Sequence, residues 1–357
     1  FKQKTAYEML RSLVGSEMCI RDRQKPFRRY SFDSLWMENM INKIIILFKI
    51  ARKIGSSNII EIVDRSHKVP FFIKLFFNLV SLSFSKNQKK TGHTNDLSST
   101  IQDLGTTFIK LGQFLATRPD IIGEELTKNL EKLQDKLPPF SKSLAENIIK
   151  EELGELTSKN IIEFSDPVAA ASIAQVHKAK INEGNTIRDV AIKVLRPNIK
   201  EIFNSEIDAI MMLAYLVETL IPKTKRLKLI EVVFLFKEIT NHEMDLRFEA
   251  AAANEYLENT KNDLGFNVPK IYWNFTSESV LTLDWVDGIS IREKDKLIES
   301  GNNASKIASD LIQHFLRQAV RDGFFHADMH QGNIFINSSG QIVPIDFGIM
   351  GRIDKLN

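Results

Sequence analysis

The feature that most limits what this 357-residue chain can fold into is an ordered set of polar residues near its end. They are His326-Ala-Asp328-Met-His330-Gln-Gly332-Asn333, followed by Ile345-Asp346-Phe347-Gly348. Asp328 and Asn333 are five residues apart, and Asp346 comes after a short apolar segment, Ile334 to Val343, that reads as a hairpin. Carboxylate and amide oxygens are what a hard cation such as Mg²⁺ prefers. Two alternatives stand beside that reading. Asp-Phe-Gly alone is as readily a turn, and His326, Asp328 and His330 form a His-x-Asp-x-His pattern that also suits a transition metal. The second alternative leaves Asn333 and Asp346 without a task.

Phosphoryl transfer needs little covalent chemistry but strict control of charge: a cation on the phosphates, metal ligands, and an acceptor for the nucleophile's proton. The order Asp328, Asn333, Asp346 supplies the last two, with Asp328 as candidate base and Asn333 and Asp346 as candidate Mg²⁺ ligands. Upstream, Val190-Ala191-Ile192-Lys193 places a lysine on a predicted strand, the usual source of the phosphate-binding cation. Taken alone, Lys193 would be a solvated strand lysine. The expected ligands are therefore ATP and Mg²⁺. Phosphate-covering loops normally use glycine, because a Cβ hinders close approach of backbone to phosphate. The corresponding stretch here, Pro167-Val-Ala169-Ala170-Ala171-Ser172-Ile-Ala174-Gln175-Val176-His177, has alanines instead. It is either a modified nucleotide loop or a strand packed through small residues.

Composition sets wide bounds. With 43% hydrophobic and 26% charged residues and a net charge of +3, the chain is ordinary globular material and gives no sign of nucleic-acid binding. It starts at Phe1 and stops nine residues after Gly348, so we read it as a fragment. Residues 1–23 include Ser12 to Arg23, which resembles a translated frame of a sequencing-library adapter, and the only cysteine, Cys19, lies within it. No apolar run reaches the ~18 residues of a membrane span. The nearest, Val69 to Phe84, is broken by Lys74 and Asn78 and reads as a core, partner-facing or interfacial helix.

Periodicity predicts an amphipathic helix over Asn39 to Lys53, a polar linker over Asn87 to Ser99, and a helix capped by Asp96-Leu-Ser-Ser99 that runs through Ile101 to Leu115. Further helices are predicted over Gly123 to Leu137 and Ala145 to Leu153. Strands follow at Pro167 to Lys180 and Asp189 to Leu195, joined by the turn Asn182-Glu-Gly-Asn185, and again at Val268 to Trp273 and Ser279 to Trp285. Helical patterns span Ile199 to Glu218, Ile230 to Leu257 and Ala304 to Asp322. Glu243, Asp245 and Glu249 cluster on the second of these. Acids at such a site can simply complement a helix dipole.

The alanine-rich loop, the element Lys110-Leu-Gly112-Gln113 and the Asp328 to Gly348 series together resemble the UbiB-type atypical kinase-like family, from about Ile101 to the end. The resemblance implies a Lys-x-Gly-Gln helix that precedes the small lobe and folds over the active site, with Arg118 and Asp120 in its extended pattern. Ala116 stands where a small hydroxyl residue is expected. It further implies that Glu243 and Asp245 form a Glu-x-Asp element, that Glu249 pairs with Lys193, and that Asp284, before Trp-Val-Asp287-Gly288, is a shortened hinge acid on the adenine side. Ala169, Ala170, Ala171, Ser172, Lys193, Asp284, Lys110, Gln113, Glu243 and Asp245 would then surround the nucleotide, with Asp328, Lys193 and Glu249 as the catalytic group. Support of ubiquinone biosynthesis is implied, on the cytoplasmic face of a bacterial inner membrane. Membrane lipid, a quinone precursor and biosynthetic enzymes are the implied partners, and membrane-spanning segments are implied beyond Asn357.

The expected fold is α+β, a protein-kinase-like bilobal fold with a helical N-terminal extension, a five-stranded small lobe and a truncated C-terminal lobe. The expected division is 24–100 for the N-terminal helices and linker, 101–163 for the extension, 164–288 for the small lobe and 289–357 for the helical lobe. ATPase activity is expected before protein phosphorylation. A conventional protein or small-molecule kinase, and a nucleotide-gated scaffold or lipid chaperone without turnover, are the alternatives.

Overall fold

The computed structural model describes residues 40–55, 97–117, 119–131, 133, 137–184 and 186–353. The linker before Leu97 with its Asp96 cap, the apolar run Val69 to Phe84, the segment 1–23 and Arg118 lie outside them, as does the side chain of Asp120.

Helix α1 is Met40–Gly55, as its amphipathic pattern predicts. The single helix expected through Ile101 to Leu115 is two, α2 (Leu97–Leu104) and α3 (Thr106–Ala116). Gly105 separates them at φ 110°, a backbone state that costs an L-residue too much to adopt. Two short helices follow, α4 (Pro119–Ile122) and α5 (Glu124–Leu130). The helix expected to run on to Leu137 therefore stops seven residues early. The chain then passes through Pro138-Pro139, whose rings remove two backbone donors, into α6 (Lys142–Ser158), capped by Ser141 and kinked at Gly154.

The small-lobe sheet is fully antiparallel, in the order β1 (Ile161–Ala170), β2 (Ala174–Glu183), β3 (Thr186–Leu195) and β4 (Val280–Asp284). The stretch read as one strand, Pro167 to Lys180, contains the turn between β1 and β2. The expected fifth strand is reduced to a bridge between Ile271 and Leu283, because the chain from Trp273 winds into a 3₁₀ turn. The sheet is therefore four-stranded. Strand alternation sends Val190, Ile192 and Val194 to one face, where all three are fully buried with Ala145 and Ile149 of α6. Each such side chain contributes about 1.5–3 kcal/mol of burial. Lys193 and Leu195 take the other face, and this parity determines what Lys193 can reach.

That opposite face is covered by α7 (Ile199–Leu220), α8 (Leu229–Glu243) and α9 (Leu246–Thr260). The predicted Ile230 to Leu257 helix breaks at Met244-Asp245. Asp245 adopts an extended conformation and its carboxylate caps α9 by accepting from the Arg247 N–H. Below lie α10 (Lys294–Glu299), α11 (Ala304–Arg317) and a π-helical turn at Gln318–Asp322. Two small sheets complete the lower lobe: β5 (Gly288–Ser290) with β7 (Ile334–Asn337) and β8 (Ile342–Pro344), and β6 (Phe324–His326) with β9 (Met350–Arg352). One core joins both lobes, with Tyr256 of α9 meeting Phe266, Phe324 and Phe347 edge to face.

Candidate active site

Lys193 projects from β3 toward Glu249 in the first turn of α9, and its Nζ lies 2.9 and 2.8 Å from the two carboxylate oxygens. Asp346 is the second anion on the same ammonium, at 3.7 Å. Burial works against the Lys193 charge, but Asp346 and Glu249 outweigh it and raise its pKa. Burial alone would raise the Asp346 carboxyl. Lys193 and the Gly348 N–H, which donates to Oδ1 at 3.0 Å, hold it below the ordinary carboxylate range instead. The Phe347 N–H points at Glu249 Oε1 from 3.5 Å, so strand, helix and Asp-Phe-Gly turn meet at one carboxylate.

The extension enters from above. Helix α3 packs through Phe114 on Phe236 of α8, with ring centroids 5.5 Å apart. Lys110 then reaches Glu243, at the last residue of α8, at 3.0 Å. Both side chains are largely buried, and the positive charge of Lys110 also acts on Asp346. Gln113 is half-buried one turn along on the same face of α3. Gly112, between them, is buried against Leu130, Leu133 and Ile101, and a Cβ there would sit 2.4 Å from Leu133 Cδ1.

Asp328 and Asn333 are joined within the catalytic loop. The Asn333 amide nitrogen donates to Asp328 Oδ2 at 3.3 Å and to its carbonyl at 3.4 Å, which turns the amide oxygen into the group available to a cation. Together with Asp346 this is an all-oxygen donor set, and it fits Mg²⁺, which normally takes few protein ligands and completes its shell with water and phosphate.

The transition-metal alternative fails. His326 uses both ring nitrogens inside the protein: Nδ1 accepts from the Asp328 N–H at 3.1 Å, and Nε2–H donates to the Asp346 carbonyl. Burial lowers its pKa, which keeps the ring neutral in this bridging form. His330 Nδ1 accepts from the Gly332 N–H. Among the described residues no group of three or more His, Cys, Asp or Glu side chains could hold a metal ion.

Asp284 ends β4 and accepts from the Tyr272 hydroxyl at 2.7 Å and the Lys270 N–H at 3.0 Å. Asp245 pairs with Arg247 at 2.7 Å in addition to its capping role. Ala169 and Ala170 end β1, paired with Val176 and Gln175, and Ala171 and Ser172 lead through the turn into β2, with the Ala171 N–H donating to the Ala174 carbonyl at 2.8 Å. Sequence reasoning missed the bridging role of His326, although the residue stood in the opening motif. It also missed Arg196 and Gln175, which brace that turn. A polar residue in a small-residue strand was the available signal for Gln175; nothing in the sequence set Arg196 apart.

A lysine held between a helix glutamate and an Asp-Phe-Gly aspartate, beneath a two-lobed α+β frame, defines a kinase-like fold. Residues 132–357 match the ABC1 atypical kinase-like domain. The chain belongs to that family. It is 37% identical over 291 residues to a probable protein kinase UbiB of Marinobacter nauticus, covering 80% of this chain and 52% of the relative. It is 35% identical over 258 residues to that of Azotobacter vinelandii, covering 71% and 48%. The chain thus spans about half the length of the curated relatives it matches. Among solved structures, a complex of Rv3197 with erythromycin from Mycobacterium tuberculosis superposes with a TM-score of 0.50 at 28% identity, covering 72% of this chain and 64% of the other. Among the described residues, no helix is long and apolar enough to cross a membrane.

Proposed function

We propose that this chain is the nucleotide-binding part of an atypical kinase-like protein that binds Mg-ATP and uses it, as an ATPase before a protein kinase, in support of ubiquinone biosynthesis. The observation that carries the reading is Lys193 between Glu249 and Asp346, with Lys110 of the extension paired to Glu243 beside them. Lys193 would hold the α- and β-phosphates and Glu249 would fix its position. Asn333 and Asp346 would hold Mg²⁺, which when bound would neutralise phosphate charge. Asp328 would accept the nucleophile's proton or orient a water.

Lys110, Gln113, Glu243 and Asp245 would restrict the approach of a protein substrate, and that favours a small nucleophile. Ala169 to Ser172 would cover the phosphates, and Asp284 would lie on the adenine side. The division into 101–163, 164–288 and 289–357 belongs to the same proposal. So do a location at the cytoplasmic face of a bacterial inner membrane and partnership with lipid, a quinone precursor or biosynthetic enzymes; the relatives' name supports the quinone link.

The test is phosphate release from ATP by the purified protein, with and without anionic vesicles and phenolic quinone mimics. We expect Mg²⁺-dependent turnover that falls at least about 100-fold in Asp328→Asn. Nucleotide binding without turnover in any condition would favour the scaffold. Transfer of phosphate to an added peptide would revive the conventional kinase.

A further inference from the structure

The turn between β1 and β2 is braced from outside by a part of the chain that touches no expected ligand. The Arg196 guanidinium, just after β3, donates to the Ala171 carbonyl through Nη2 at 2.8 Å and Nε at 3.2 Å. The same Nη2 donates to the Pro138 carbonyl at 3.0 Å, in the segment between α5 and α6. Its backbone N–H is bonded to the Ile173 carbonyl at 2.8 Å. Two residues further along β2, the fully buried Gln175 side chain makes a two-point pair with the backbone of Phe140. The Phe140 N–H donates to Oε1 at 2.9 Å, and Nε2 donates to the Phe140 carbonyl at 3.2 Å. His177 Nε2 accepts the second Gln175 N–H at 2.9 Å, while its Nδ1–H is spent on the Ser165 carbonyl.

Pro138 and Pro139 make this segment stiff, and a planar fork bridging two carbonyls is a geometry a lysine cannot copy. Alanine methyls narrow the conformations of the turn from within. Arg196 and Gln175 fix it from without, against the segment that leads out of the extension.

We propose that Arg196 is a positioning residue for nucleotide, and that with Gln175 it makes the strap Leu137–Phe140 and the hairpin end Ala169–Ala174 a single rigid unit. This rests on the nucleotide reading of the site above. The shape that the turn offers to phosphates is then set by where the strap sits. Loosening the clamp weakens recognition of the phosphate chain and leaves recognition of the nucleoside untouched.

The experiment compares the wild type with Arg196→Lys and Gln175→Leu, each checked for a cooperative melt. Amide exchange is measured on nucleotide-free protein, and affinities are measured for Mg-ATP and for adenosine. In both variants the Leu137, Phe140 and Ala169–Ala174 amides should exchange together, about tenfold faster. Mg-ATP affinity should fall about tenfold with adenosine affinity unchanged, a split that general loss of structure would not give. Faster exchange confined to Ala169–Ala174, or unaltered Mg-ATP affinity in a folded Arg196→Lys protein, overturns the proposal. A wild type that binds adenosine but no Mg-ATP overturns the nucleotide reading itself, and the exchange measurement still decides the clamp.

Discussion

Lys193 and Glu249 stand on opposite walls of one buried site: burial pushes the Glu249 carboxyl up and Lys193 opposes that push, while Asp346 and Glu249 raise the Lys193 pKa against burial. Truncating Glu249 to alanine removes the two short bonds to the ammonium and leaves it with Asp346 at 3.7 Å, so the expected destabilisation is about 3–5 kcal/mol, read by denaturant unfolding. Glu249→Gln keeps the volume and should cost less, and a cost equal to that of the alanine variant would contradict the electrostatic account. His177 is fully buried, stacked on Phe164 at 4.2 Å, and held neutral as burial lowers its pKa. Above pH 6.5 the ring is neutral both folded and unfolded and contributes no pH dependence. Below it the unfolded chain takes up a proton that the folded one resists, so stability falls with falling pH by at most about 1.4 kcal/mol per unit. His177→Asn should flatten the slope of melting temperature between pH 6.5 and 5; an unchanged slope would place the titration elsewhere. These positions were unequally legible. Lys193, Asp328, Asn333 and Asp346 are singled out by spacing because the proposed chemistry would tolerate few other residue types. Arg196 and Gln175 act through backbone carbonyls that only the folded chain brings near, so no spacing announces them.

Among the elements, the errors of sequence reading concentrate at breaks. Periodicity carried one helix across Gly105 and another across Met244-Asp245, because apolar residues keep the helical phase on both sides of each break. The second break matters for the site. It leaves Glu243 at the end of α8, facing Lys110, and starts α9 so that Glu249 meets Lys193. Strand parity, by contrast, was fully readable: Val190, Ile192 and Val194 alternate with Lys193. In β5, a Cβ on Gly288 would lie 2.7 Å from the Ile336 carbonyl oxygen of β7. A backbone atom cannot step aside, so Gly288→Ala should cost about 1–3 kcal/mol and lower Tm by several degrees. A Tm equal to wild type would mean that the β5–β7 register yields more easily than its pairing suggests.

At the scale of the molecule, the α+β kinase-like frame was legible because its motifs lie on separate elements in a fixed order and only one kind of fold gathers them. The four-stranded sheet was less so, since Val268 to Trp273 has strand composition but ends in a 3₁₀ turn. We propose that the two lobes and the extension meet around a Mg-ATP site, and calorimetric titration of ATP with and without Mg²⁺ decides it. The wild type should bind with Mg²⁺ dependence, and a folded Asp346→Asn protein, whose amide replaces the anion between Lys193 and the proposed metal position, should lose at least about tenfold. Mg²⁺-dependent binding that survives Asp346→Asn undiminished would contradict it.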